Sequence, residues 1–475
     1  MRIAETAREM LVSGDLLVPY YNGELRLQKP PLPYWATLAS YKIAGFNATA
    51  VRLPGVLFGL LTALLLFRWC RREMSLQAAA NTALVLVASY IGIRYFRSGE
   101  ADAMLLFFVS SACMLGYEMF YHPADSIRRL LFGLALGLGF LAKGPAALAI
   151  PLLTLLLLAT LEKQPVRFKA CFSLPGLVLL ILIGFGWYAW ILWQLPDAAQ
   201  HFFGHQLDET FVTGTHAKPL WWYLAHLFEF FAPWGILLIP ALCWSYRQYK
   251  LSGSLPLPLR FAWSWLFVVF MLLTITINKQ TQYALLLAPP LAMIVGHYLA
   301  AAEGGFAKLN KVLFGILCLV AMAGVGYAMI HVAPATLASY AWLGLLLIPL
   351  VIKHFLRVQT PSWPVLLVAI VTCMAYLYSE SFVADEPRQS AAQVLMFKAA
   401  AHAPLYQSRP GDGAISFYAG RVVPPISDQD IPALLQLHKE IWLVAQKLPM
   451  LKDIGVELVA ESGDLKLLRL KRPAS

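Results

Sequence analysis

Of the 475 residues, 59% are hydrophobic and only 13% are charged, and the mean hydropathy is +0.64. Soluble domains hold roughly 45–50% apolar and about 25% charged residues, so this composition excludes an ordinary soluble protein and fits a membrane one. The net charge of +11 does not mark a nucleic-acid binder, because the basic residues lie scattered in short loops between apolar runs rather than gathered on one domain.

The chain opens without a signal peptide. Arg2, Glu5, Arg8 and Glu9 sit on a short amphipathic helix, followed by Ser13-Gly14-Asp15, Val18-Pro19-Tyr20 and Asn22-Gly23-Glu24 as turns. Gln28-Lys29-Pro30-Pro31-Leu32-Pro33-Tyr34-Trp35 then leads into the first long apolar run. Two juxtamembrane helices joined by turns fit the pattern. The Lys-Pro-Pro element fixes a rigid approach to the membrane interface, with Lys29 either at a lipid head group or snorkelling from an apolar stem.

A membrane crossing needs about 20 mostly apolar residues. Candidate spans are 51–67, 76–93, 103–121, 130–143, 145–161, 172–193, 223–245, 261–277, 284–300, 312–331, 338–352 and 362–379. The pair around Lys143-Gly144-Pro145 reads as a tight hairpin. Fifteen Lys and Arg fall in one alternate set of short loops, from Arg68, Arg71 and Arg72 through Lys353 and Arg357. That set is predicted to be cytoplasmic. Segments 1–50, 94–102, 194–222, 278–283 and the C-terminal tail are then external. Twelve crossings with an external tail also put the N-terminus outside, so the sequence predicts a further span before Met1, thirteen in all, and a frame that starts late or a truncated product.

Residues after about 384 read as a small α/β module: a helix over 391–401, a strand over 414–418, a helix over 431–438, a strand over 441–444, and a hairpin of 456–460 and 465–470 turned at Ser462-Gly463-Asp464. Cys70, Cys113, Cys171, Cys243, Cys318 and Cys373 all lie in or beside apolar spans, which indicates no disulfide framework.

Several polar residues invite a chemical reading. Asp102 stands at the end of a span beside Glu100, where a carboxylate must be paired, wet or functional; its local partners are Arg94 and Arg97. His201, His205, Asp208, Glu209 and His216 share one loop, but without the spacing of a known metal motif. Glu118 and Glu229 lie near span ends and suit hydrogen-bonded or snorkelling roles. Gly133, Gly137 and Gly139 suit close helix packing. No nucleotide-cradling loop is present.

The run from Arg2 through Ser13-Gly14-Asp15, Asn22-Gly23-Glu24 and Lys29-Pro30-Pro31 to Tyr34-Trp35 resembles the first external loop of the protein O-mannosyltransferase-like (glycosyltransferase family 39) GT-C superfamily. It resembles most closely the bacterial ArnT-type branch of lipid A aminoarabinose transferases. Arg97-Ser98-Gly99-Glu100-Ala101-Asp102, Phe140-Leu141-Ala142-Lys143-Gly144-Pro145, Pro219-Leu220-Trp221-Trp222-Tyr223, Pro233-Trp234 and Asn278-Lys279-Gln280-Thr281-Gln282-Tyr283 with Pro289-Pro290 continue the resemblance. It implies an all-α polytopic GT-C fold with a small periplasmic α/β domain: a transmembrane transferase domain over 1–383, its site formed by loops 1–50 and 194–222, and a periplasmic domain over 384–475. It implies a polyprenyl-phosphate sugar as donor substrate, lipid A or another envelope acceptor, and the bacterial inner membrane as location.

By resemblance, Asp102 orients or activates the acceptor, while Arg2, Lys29 and Tyr283, with Lys279 as a weaker fourth, bind the lipid phosphate. Tyr283 also suits an interfacial aromatic belt, and Lys279 a solvated loop. No metal ligand set is assigned, and a divalent ion is left open. The family's Asp-Glu pair would precede Met1, and its tyrosine after the aligned arginine is Ile3 here. The nearest variant is a hexosyl or mannosyl transfer to glycan or protein. A rival class is a lipid or solute transporter, against which the concentration of polar residues in external loops speaks. A third is a lipid-binding remnant without activity.

Overall fold

The computed structural model describes residues 2–122, 125–195, 198–200, 202, 217–331, 365–370, 372–373, 387–399, 403–408, 413–448 and 454–471. It falls into two compact units: Leu27–Ala36 with Ser40–Tyr378, and Met1–Arg26 and Thr37–Ala39 with Ser379–Ser475.

The second of these begins with α1 (Arg2–Ser13) and a small hairpin of β1 (Tyr20–Tyr21) and β2 (Glu24–Leu25). Asn22 and Gly23 turn the hairpin at φ 54° and 78°; Asn-Gly is the pair that tolerates two left-handed residues in a row. The Glu9 carboxylate of α1 accepts from the Asn22 and Gly23 amides at 2.5 and 3.0 Å, tying turn to helix.

The larger unit is helical. Along the chain come α2 (Leu32–Ala44), α3 (Ala48–Glu73), α4 (Leu76–Val87), α5 (Tyr90–Phe96), α6 (Asp102–Tyr121), α7 (Ser126–Lys143), α8 (Ala146–Leu161), α9 (Pro165–Ala170) and α10 (Leu174–Gln194). The short loops supply their own caps: Asn47, Ser75, Ser89, Asp125 and Ser173 each accept a backbone N–H of the following first turn. Helical turns Trp222–Ala225 and Leu227–Phe230 and a 3-10 turn Trp234–Leu237 lead to α11 (Leu238–Ser252) and α12 (Leu257–Ile275). A 3-10 segment Thr281–Leu287 then runs into α13 (Ala288–Ala301), followed by α14 (Gly304–His331).

Five described helical stretches are long and apolar enough to cross a membrane: Ala48–Glu73, Asp102–Tyr121, Leu174–Gln194, Leu257–Ile275 and Thr281–Ala301. The predicted span 76–93 is not one straight helix. It breaks by 64° between Val87 and Tyr90, because the Ser89 Oγ accepts from the Gly92 amide and starts a new helix, while the Tyr90 amide donates to the Ala232 carbonyl at 2.7 Å. The predicted span 223–245 is likewise interrupted before Leu238, where Pro233 has no N–H to give a helix. The expected span 338–352 and most of 362–379 lie outside the described residues.

The glycines read as packing sites are such sites. A Cβ on Gly133 would meet the Gly176 carbonyl oxygen of α10 at 2.1 Å, and one on Gly139 the Ala147 Cβ at 2.9 Å. Backbones approach this closely only where side chains are missing. At the end of α6 away from Asp102, Arg72 bonds Glu118 and Arg260 bonds Glu162, so Glu118 is hydrogen-bonded as expected.

In the C-terminal residues, α15 (Pro387–Lys398), β3 (Leu405–Gln407), α16 (Gly413–Ala419), α17 (Ile431–Leu437), β4 (Glu440–Ala445), β5 (Gly455–Ser462) and β6 (Leu465–Lys471) form an α/β module. Its sheet runs β3-β4-β6-β5, parallel between β3 and β4 and antiparallel elsewhere. Trp442, Val444, Leu465 and Leu467 face α15, whereas Ile441, Leu443, Leu468 and Leu470 face α17; the alternation of strand side chains serves both layers. The predicted strand 414–418 is α16 instead: Gly413, Ala414, Ile415, Ser416 and Phe417 are all buried in the crossover between the parallel strands β3 and β4, a connection that is usually helical. Arg8 of α1 donates to the Gly420 carbonyl at 3.1 Å, and Tyr21 Oη accepts from the Gly413 amide at 2.8 Å.

Candidate active site at the head of α6

Gly144, at φ 87°, closes α7 by giving its amide to the Phe140 carbonyl at 2.7 Å, and Pro145 opens α8. Glycine is the residue that accepts this left-handed position without strain. The turn leaves Lys143 at the last position of α7, level with the first residue of α6. Lys143 Nζ meets Asp102 Oδ1 at 2.5 Å, with side chains 10% and 5% exposed. The same ammonium stands 5.0 Å from the centre of the Tyr283 ring, within the range of cation–π attraction.

The ion pair expected between Asp102 and Arg94 or Arg97 is therefore replaced by one with Lys143. Arg94 instead donates to Tyr90 Oη at 3.1 Å and lies over the Tyr95 ring. Glu100 borders the pair. Neighbouring atoms strip water from its carboxyl, and this desolvation, with the Asp102 charge second, raises its pKa, while Lys143 works against both. Two carboxyls and one lysine thus stand together at the head of α6.

Tyr283 lies on the 3-10 segment, half-buried and engaged with its surroundings. The strip before it is fixed by the end of the preceding loop. Tyr223, fully buried, donates to the Gln280 carbonyl at 3.0 Å, Ala217 bridges Asn278, and the Lys218 amide reaches the Ile277 carbonyl at 3.4 Å. The Pro219–Tyr223 and Asn278–Tyr283 motifs thus support one another.

Lys279 is 2% exposed rather than solvated. Its ammonium donates to the carbonyls of Thr274, at 3.0 Å, and Thr276, the open acceptors at the C-terminus of α12. Burial pushes its pKa down. Lys29 stands half-buried just before α2 and is engaged. Arg2, the first residue of α1, is exposed and belongs to the other unit. Asp102 and Tyr283 are thus brought together, through a lysine that composition and spacing did not single out. His201, His205, Asp208, Glu209 and His216 lie outside the described residues, and among those described no three His, Cys, Asp or Glu gather as metal ligands.

The larger unit is thus a helical fold with a carboxylate–lysine–tyrosine cluster at the ends of its helices. Residues 28–190 match the dolichyl-phosphate-mannose-protein mannosyltransferase family. The chain is 30% identical over 341 residues to the undecaprenyl phosphate-alpha-4-amino-4-deoxy-L-arabinose arabinosyl transferase 2 of Sodalis glossinidius, covering 68% of this chain and 60% of that protein. It is 29% identical over 352 residues to the corresponding transferase of Edwardsiella ictaluri, covering 72% and 62%. The matched stretch thus spans about three fifths of these relatives' length. The fold is that of ArnT from Cupriavidus metallidurans bound to undecaprenyl phosphate, with a TM-score of 0.81 over 98% of this chain and 92% of that one at 20% identity. These matches bear out the resemblance to the protein O-mannosyltransferase-like GT-C superfamily.

Proposed function

We propose that the protein is an integral-membrane glycosyltransferase that moves a sugar, an aminoarabinose-like pentose, from a polyprenyl phosphate to lipid A at the periplasmic face of a bacterial inner membrane. The observation that carries this reading is the buried Asp102–Lys143 pair beneath Tyr283, set in motifs that resemble those of the GT-C superfamily. The finer topology is part of the proposal: twelve crossings in this chain, the transferase domain over 1–383, and 384–475 as a periplasmic α/β domain.

In the proposed reaction an acceptor oxygen attacks the anomeric carbon from the side opposite the lipid. The bond from that carbon to the polyprenyl phosphate breaks, and its electron pair stays on the phosphate oxygen. Asp102 orients the acceptor. Lys143 holds Asp102 in place through their ion pair. Tyr283 and Lys29 bind the departing phosphate as preorganised partners for its growing charge. Arg2 keeps this role on the resemblance alone, and Lys279 is the weaker fourth ligand. A lipid A phosphate monoester has a second pKa near 6, so an acceptor of that kind arrives ionised and needs alignment more than proton removal.

The test is transfer of aminoarabinose from its polyprenyl phosphate to lipid A by the full-length protein in membranes. Asp102→Asn and Lys29→Ala are expected to lower the rate by about 100-fold or more, the range lost when a positioned group is removed from a transition state. Transfer at the unaltered rate in Asp102→Asn overturns the assignment.

A further inference from the structure

A cavity runs along α6, with its charged end away from Asp102. It is a groove of about 530 Å³ between α3, α6 and α7, walled by Leu65, Trp69, Phe107, Phe108, Leu134 and Leu138. Arg68, Arg72 and Glu118 stand at one end. From Phe107 to Glu118 it follows eleven helical residues, roughly 16 Å at 1.5 Å per residue. One leaflet of a bilayer offers about half of a 30 Å hydrocarbon core, so the groove has the length of a single leaflet's chains and carries its cations where head groups lie. Asp102 is sixteen residues from Glu118 on the same helix, roughly 24 Å, so the charged mouth of the groove lies far from the candidate active site, while its inner end at Phe107 comes within five residues of Asp102.

The two arginines differ. Arg72 is neutralised by Glu73 and Glu118. Arg68 is exposed and makes no ion pair or side-chain hydrogen bond among the described residues. Trp69, 3% exposed, carries an indole N–H with no acceptor among them. An apolar slot one leaflet long, with a free guanidinium at its mouth, complements a lipid with an anionic head.

From this juxtaposition we infer that the groove is a binding site for an anionic membrane phospholipid, with one acyl chain along α6 and its phosphate on Arg68. The lipid is a resident of the leaflet remote from Asp102 and is not a reactant.

The experiment is native mass spectrometry of the full-length protein in mild detergent, titrated with phosphatidylglycerol and, separately, phosphatidylcholine. One phosphatidylglycerol is expected to be retained in preference to phosphatidylcholine. Arg68→Gln, a surface change, is expected to weaken that retention about tenfold, the worth of one charge-assisted hydrogen bond. Ser111→Phe, which fills the groove, is expected to abolish it, and Arg68→Gln carries the test if that variant does not fold. Equal retention of the two lipids, or wild-type binding by Arg68→Gln, overturns the proposal.

Discussion

Lys143 is the residue on which the candidate site turns. Asp102 was legible from sequence because a carboxylate at a span boundary is conspicuous, and Arg94 and Arg97 were its expected partners because they are near in the chain. The observed partner is 41 residues away. Only the antiparallel run of α6 and α7, closed by the Gly144 turn, brings it level, and pairing across helices does not show in local spacing. Removing one member of a buried ion pair leaves the other stranded, at a cost of about 3–5 kcal/mol. Lys143→Met is therefore expected to lower the thermal midpoint of the detergent-solubilised protein markedly. Lys143→Met combined with Asp102→Leu should recover much of that loss while staying inactive. A double variant as unstable as the single one would show that the pair matters for something other than its charge.

Among the elements, the glycine crossings were readable in advance, because small residues at helical spacing in an apolar run have few other uses. The Gly133–Gly176 contact leaves no room for a methyl group, so Gly133→Ala should cost about 1–3 kcal/mol of stability through overpacking. Gly186, where a Cβ meets nothing within 4 Å, is the control: Gly186→Ala should leave the thermal midpoint unchanged. The bend at Ser89 was harder to foresee, since hydropathy runs through it without a break and one hydroxyl decides the geometry. Ala414–Tyr418 misled for the opposite reason. Its β-branched and aromatic residues favour a strand, yet the crossover makes it a helix, and tertiary context overrides so weak a preference.

Helix α1 carries a pH dependence of its own. Burial raises the Glu5 pKa from 4.5 to about 7, with Arg8, bonded to it at 2.6 and 2.9 Å, opposing the rise. A carboxyl that is more basic folded than unfolded binds its proton more tightly in the folded state, so stability falls as pH rises from about 4.5 to 7 and stays lower above that. At one unit per 1.36 kcal/mol the whole effect is at most about 3–4 kcal/mol. Hydrogen exchange of α1 amides in the full-length protein, corrected for intrinsic rates, should show more frequent opening at pH 8 than at pH 5.5. Glu5→Gln should flatten the difference.

For the molecule as a whole, composition settled the class and the motifs settled the fold, because twenty-residue apolar runs and short capped loops leave a helical bundle little alternative. Orientation rests on the asymmetry of basic residues. Single cysteines in a cysteine-free background test it. Glu461→Cys, in the β5–β6 hairpin, is expected to react with a membrane-impermeant maleimide in intact spheroplasts, and Lys163→Cys, in the loop after α8, only after lysis. The reverse pattern would invert the proposed topology.

The bond from Arg8 to the Gly420 carbonyl joins residues 412 positions apart. Synthesis at about 5–20 residues per second sets roughly 20–80 s between the emergence of α1 and that of its partner. During that wait α1 is an amphipathic segment with its buried face uncovered, and contacts so distant in sequence are slow to close even afterwards. Helix α1, made well before its partner, is therefore among the last to be secured, and a chain stopped before residue 413 would leave it open to proteases and chaperones however well the membrane helices had assembled.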